Sequence, residues 1–201
     1  MPTPQRIEVI EKRTVYQGHY RVDRYKLKHE TFAGGWSETL TREVFERGHA
    51  VALLPYDARR DSVVLVEQFR IGAYAAERKA WLTEIVAGLI DEGETPEEVA
   101  HRECREECGC DVGRLIPFGT VMPSAGAMSE TVAFFCGEVD SSRAAAHGGA
   151  AGEGEDIRVA VRPWPEVERC LVAGEFASAT TVIALQWLAL NRTRLRAEWD
   201  S

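Results

Sequence analysis

Three glutamates, Glu103, Glu106 and Glu107, stand in a segment that favours a helix. At about 100° per residue they fall within one third of the helical circumference, with Glu103 central. They also lie toward the C-terminal half of that helix, where the helix dipole disfavours negative charge. Three carboxylates crowded in this way repel one another and cost stability unless cations offset them. Hard divalent ions prefer carboxylate oxygens, and Mg²⁺ commonly shares them with substrate phosphates. Such ions neutralise a diphosphate, polarise phosphorus and make an attacking water more acidic. The bland alternative is a solvated acidic face balanced by Arg102 and Arg105. The framing glycines Gly88 and Gly109, and a well-marked helix start, weigh against it.

That start is the first of the elements that must position the carboxylates. Thr95 is an N-cap, Pro96 suits the first helical position, and Glu98 closes a T-x-x-E capping box. Gly109 is placed as a helix-ending glycine, so the helix is expected over about 96–108. An apolar segment, Trp81 to Ala87, leads into Gly88. Before it, residues 6–47 read as β, with a turn at Phe32–Trp36 and a strand at Thr39–Phe45. Ala50–Pro55 and Ser62–Glu67 read as core strands joined by the polar turn 56–61. After the helix, Leu115–Val121, Thr131–Val139 and Ile157–Val161 read as strands. Residues 141–155 read as a mobile loop. Pro165–Ala173 and Ala179–Leu195 read as helices, the second with an apolar stripe at Val182, Leu185, Leu188 and Ala189. Strands with a few late helices indicate an α/β or α+β layered fold.

Composition limits the partners. The 201 residues carry 32 acids against 24 Lys and Arg, a formal charge of -8, which argues against a nucleic-acid partner. No apolar run approaches the roughly 20 residues of a membrane span, so no membrane partner is expected. Residues 1–13 are polar and lack a signal-peptide core, so the expected location is cytoplasmic. Five cysteines include the cluster Cys104, Cys108 and Cys110. It reads either as a metal site or as small buried side chains. Its spacing matches no common zinc pattern and no His completes it, while Cys104 and Cys108 lie one helical turn apart in line with Ala100.

Residues 88–110 resemble the Nudix box, G-x5-E-x7-R-E-U-x-E-E-x-G-U, where U is bulky and apolar. Gly88, Glu94, Arg102, Glu103, Glu106, Glu107 and Gly109 fill every fixed identity, and Cys104 and Cys110 fill U positions. The resemblance implies the Nudix fold, a mixed β-sheet sandwiched between helices. It implies hydrolysis of a nucleoside diphosphate linked to a further moiety. By that resemblance Glu103 and Glu107 are metal ligands with the carbonyl of Ala87, Glu106 assists, and Arg102 and Glu94 hold the loop to the helix. Stretches at 42–55, 66–74, 81–94, 123–130, 153–159 and 179–190 are similar to the bacterial ADP-ribose pyrophosphatase subgroup. Pro123, 13 residues beyond Cys110, stands where that subgroup has a proline, although Pro-Ser-Ala-Gly follows where relatives tend to have Pro-Gly-Gly.

The subgroup resemblance implies Mg²⁺-dependent cleavage of ADP-ribose to AMP and ribose 5-phosphate, with two or three ions per site and Mn²⁺ as an alternative. It gives Arg70 a diphosphate contact, since a guanidinium fork binds phosphate oxygens; the alternative is a surface ion pair. It places Arg42 and Glu43 near the adenosine and His19 where relatives stack an aromatic ring on adenine. Glu130 hydrogen-bonds the terminal ribose or is simply a loop acid. The water-activating base comes from the acidic loop, with Glu153 favoured as base and Glu155 as metal ligand or partner. Gly152 and Gly154 allow the movement this requires. A homodimer is implied, with residues 1–48 forming an N-terminal antiparallel β domain exchanged between subunits, and 49–201 the Nudix domain. The rival readings are a Nudix hydrolase of another sugar nucleotide such as GDP-mannose, a silent ADP-ribose-sensing module, and a purely structural acidic protein.

Overall fold

A computed structural model describes residues 3–150, 152 and 154–199. The chain forms two compact units, Met1–His49 with Met122–Thr131, and Ala50–Val121 with Val132–Ser201.

The first unit is an antiparallel sheet of β1 (Ile7–Gln17), β2 (Arg21–His29) and β3 (Leu40–Glu46), in that order. β2 is central, and its Asp23 is buried because Thr14 Oγ1 donates to it at 2.8 Å and Lys12 and Arg21 flank it at 3.2 and 3.1 Å. Residues 122–131 join this unit through one backbone and several side-chain hydrogen bonds. Phe45 N donates to the Ala127 carbonyl at 2.8 Å, Ser129 Oγ donates to Glu46, and Thr131 N donates to His49 Nδ1 at 3.2 Å. β1 is exposed along its whole length, including Ile7, Val9, Ile10 and Tyr16.

The second unit holds β4 (Ala50–Asp57), β5 (Ser62–Phe69), α1 (Ile71–Ala75), β6 (Trp81–Glu84), β7 (Val86–Leu89) and α2 (Pro96–Cys108). These are followed by β8 (Leu115–Val121), β9 (Val132–Glu138), β10 (His147–Gly148), β11 (Ile157–Pro163), α3 (Trp164–Val172) and α4 (Ala179–Trp199). The sheet runs β10-β11-β5-β4-β9-β8, with β6 paired to β5 and β7 to β4. β4 and β9 are parallel and the other pairs antiparallel, so the sheet is mixed.

Period-two alternation along the central strands divides the core. Ala52, Leu54, Tyr56 and Leu65 pack with Trp164, Leu185 and Leu188 of α3 and α4. Val51, Leu53, Val64 and Val66 pack with Val99, Ala100 and Cys104 of α2. The expected mixed sheet between helices is therefore present. Each fully buried valine or leucine contributes about 1.5–3 kcal/mol of burial energy, so Val51, Leu53, Val64 and Val66 hold α2 against its face of the sheet.

Three local differences from the sequence expectation have physical causes. The apolar segment 81–87 is two strands, not one. It breaks at Ile85, whose N–H donates to Thr181 Oγ1 of α4 at 3.2 Å and whose side chain enters the α4-side core. Part of the 141–155 loop is ordered, because β10 pairs with β11 through His147–Arg158 and Gly148–Ile157. α4 extends to Trp199, where Arg114 donates to the carbonyls of Glu198 and Trp199 at 2.6 and 3.0 Å. No helix among the described residues is long and apolar enough to cross a membrane.

Candidate active site

α2 starts as its sequence dictates. Thr95 Oγ1 accepts from Glu98 N at 3.3 Å, and Glu98 Oε2 accepts from Thr95 N at 2.8 Å. It ends at Gly109 in the left-handed conformation, φ 71°. Val99, Ala100, Cys104 and Cys108 are buried against the sheet, so Cys104, Cys108 and Cys110 fill core space as free thiols. Burying that stripe turns the neighbouring glutamates toward the end of β7.

Glu107 is 1% exposed, and its Oε2 accepts the Ala87 N–H at 3.2 Å. Gln68 Nε2 approaches its Oε1 at 3.5 Å. Burial first, and the charge of Glu103 second, push the Glu107 carboxyl up to about 8. Glu103 is also held above the usual range by burial, with Arg102 opposing the shift. Gly88 makes room for Glu103, since a Cβ there would lie 1.7 Å from Glu103 Oε1. Arg102 ties the group together. It donates to Glu94 at 2.9 and 3.0 Å, Glu103 at 2.7 Å, Glu106 at 3.0 Å and the Leu89 carbonyl at 3.2 Å. Its hydrogen bonds hold the Glu94 carboxyl below its ordinary range.

The segment after β9 closes on the C-terminal end of α2. Ala145 N donates to the Cys108 carbonyl at 2.9 Å and Gly149 N to the Glu106 carbonyl at 2.8 Å, satisfying groups the helix leaves open. Gly148 packs so tightly that a Cβ would fall 1.9 Å from the Glu107 carbonyl oxygen. Beyond it, Glu155 Oε2 accepts the Ala150 N–H at 3.2 Å, and its charge reaches Glu103 and Glu107. Glu153 lies outside the described residues. Among the described residues no three acid, imidazole or thiol groups are gathered closely enough to hold a metal ion by themselves, and Arg102 engages Glu103 and Glu106 directly.

Arg70 follows β5, and its charge also reaches Glu107. Its Nε donates to Glu84 Oε2 at 2.6 Å. Neither Glu84 nor Gln68 was singled out from the sequence. The available signal was a polar residue at an inward position: Gln68 continues the Val64, Val66 alternation, and Glu84 interrupts an apolar run.

The remaining expected residues lie in the other unit. His19 sits in the β1–β2 turn, edge-on to Tyr20 at 4.5 Å between ring centroids. Glu43 pairs with Arg24 across the β2–β3 ladder at 2.6 Å, and Arg42 donates to the Thr41 carbonyl at 2.8 Å. Glu130 is buried, with Arg47 3.6 Å away.

Comparison with known proteins matches the NUDIX domain family model to residues 46–169. The chain belongs to the Nudix family. Among its Nudix relatives, the ADP-ribose pyrophosphatase of Escherichia coli strain K12 is 45% identical over 96% of this chain and 92% of that protein. The ADP-ribose pyrophosphatase of Haemophilus influenzae is 42% identical over 97% and 91%. A GDP-mannose pyrophosphatase of Escherichia coli is 36% identical over 75% and 78%. A crystal structure described as an ADP compounds hydrolase shares the fold, with TM-score 0.72 and 20% identity over 98% of each chain. The Nudix box is thus the loop-helix that sets Glu103 and Glu107 against the Ala87–Gly88 strand end.

Proposed function

We propose that this Nudix enzyme hydrolyses the diphosphate of ADP-ribose to AMP and ribose 5-phosphate, using two or three Mg²⁺ ions, with Mn²⁺ as an alternative. The observation that carries the reading is Glu107, a buried carboxyl packed beside Glu103 at the end of β7. Its donor chemistry fits a divalent ion: hard carboxylate oxygens that repel one another, with Glu107 buried and held by no ion pair among the described residues. The full-length identity to ADP-ribose pyrophosphatases exceeds that to the GDP-mannose enzyme in both percentage and coverage.

In this reading Glu103, Glu107, Glu155 and the Ala87 carbonyl would hold the metal, with Glu106 assisting. When bound, the ions offset the diphosphate charge and make the attacking water more acidic. Arg102 keeps the carboxylates in register, and Arg70 offers its terminal nitrogens to phosphate oxygens. Glu153 orients the water and accepts its proton. Glu130 recognises the terminal ribose, while Arg42, Glu43 and His19 recognise the adenosine. Residues 1–48 form a β domain exchanged in a homodimer, and residues 49–201 the Nudix domain. The exposed apolar residues of β1 favour such a partner.

A panel of nucleotide sugars incubated with Mg²⁺ and the enzyme, with products resolved by chromatography, tests this. AMP from ADP-ribose at the highest kcat/KM is expected. Faster turnover of GDP-mannose would replace the substrate assignment, and no turnover of either would refute the enzyme reading.

A further inference from the structure

We propose that Glu84 is a positioning residue for Arg70, bracing its guanidinium so that the terminal nitrogens face the substrate diphosphate. The inference rests on the diphosphate-hydrolase reading above and assigns a role that reading leaves open.

Strand register puts the parts in place. β5 alternates Val64, Val66 and Gln68 toward the α2 side, where Val64 and Val66 join the core and Gln68 meets Glu107. β6 pairs beside it, with Glu84 opposite Val66. The break at Ile85 sends Ile85 into the α4-side core and leaves Glu84, one residue earlier, for the opposite face. The Glu84 side chain is only 10% exposed, so its carboxylate needs a partner. Arg70 supplies one through Nε at 2.6 Å. The Arg70 backbone is pinned as well, its N–H donating to the Ala80 carbonyl at 2.8 Å.

The choice of Nε matters. A carboxylate that bridged both terminal nitrogens would use the edge that suits a phosphate. Glu84 takes Nε, and among the described residues no hydrogen bond engages Nη1 or Nη2 of Arg70. Without Glu84 the guanidinium would lose its one fixed side-chain partner and spread over other rotamers. Glu84 thus orients Arg70 and leaves its terminal nitrogens for phosphate oxygens.

The test is a double-mutant cycle on the full chain, with kcat and KM for ADP-ribose measured for Arg70→Ala, Glu84→Ala, Glu84→Gln and the double variants. Arg70→Ala is expected to lower kcat/KM on the order of a hundredfold, as loss of a charge-stabilising donor does. Glu84→Ala is expected to lower the same parameter about tenfold through misplacement of Arg70. Glu84→Gln keeps an acceptor oxygen and should fall between the wild type and Glu84→Ala. In the Arg70→Ala background, either Glu84 substitution should change kcat/KM by less than about twofold, because residues that act through one another are not additive. Multiplicative losses, or wild-type kinetics in both Glu84 variants, would overturn the positioning role. Wild-type kinetics in Arg70→Ala would instead refute the diphosphate contact itself. If Glu84→Ala does not fold, the isosteric Glu84→Gln carries the same cycle.

Discussion

Gly88 and Glu107 concentrate the local physics of the carboxylate group. A Cβ on Gly88 would meet the Glu103 side chain from Cγ to Oε1 before any backbone atom, so it displaces that carboxylate from its place beside Arg102 and leaves the chain fold intact. Gly88→Ala should therefore fold with a near wild-type melting temperature while losing Mg²⁺-dependent turnover on the order of a hundredfold. Wild-type activity in that variant would show that Glu103 need not occupy this space. Glu107 gives a pH signature in the metal-free protein. Its carboxyl rises from the ordinary 4.5 to about 8 on folding, chiefly through burial. The folded state then binds more protons than the unfolded state across that window. Its contribution to stability is full below 4.5 and is lost as pH rises through about 8. Thermal melts in chelator from about pH 5 to about pH 9 should show this decline, and Glu107→Gln should flatten it.

α2 and the segment packed on its end show what the sequence makes legible at the level of elements. The capping box, Pro96 and Gly109 define α2 because they act within one turn of chain. The core strands were legible because a short apolar run bounded by a polar turn is a local signal. The break at Ile85 was not, since it depends on Thr181, which is distant in sequence. β10 was missed because two residues carry no period; its order comes from β11 and from the end of α2. Residues 122–131 give no sign that they group with the first unit, because the link is one backbone hydrogen bond from Phe45 to Ala127 with side-chain contacts to Glu46 and His49, all distant in sequence. The shared face of Glu103, Glu106 and Glu107 followed from helical period alone. Glu84 and Gln68 needed strand register. Gly148 yields a prediction that contrasts with Gly88. Its added Cβ would meet the Glu107 backbone carbonyl, which cannot rotate away. Gly148→Ala should cost about 1–3 kcal/mol of stability as an overpacked contact, read as a lowered melting temperature. An unchanged melting temperature would mean that β10 shifts freely.

Assembly and turnover are properties of the whole molecule. β1 exposes Ile7, Val9, Ile10 and Tyr16, more apolar surface than one edge strand normally leaves bare. Light scattering should report twice the mass of one chain, and Ile7→Glu with Val9→Glu should shift it to a single chain. A monomeric wild type would remove the exchanged-domain proposal. If buried carboxylates on α2 serve metal-dependent cleavage of ADP-ribose, AMP release needs both Glu107 and the metal. Release from ADP-ribose is measured for the wild type and for Glu107→Gln, each with Mg²⁺ and with chelator. Rapid release is expected only from the wild type with Mg²⁺, with a loss of at least about a hundredfold in the folded variant. Release that survives chelation, or that Glu107→Gln retains in full, would contradict that requirement.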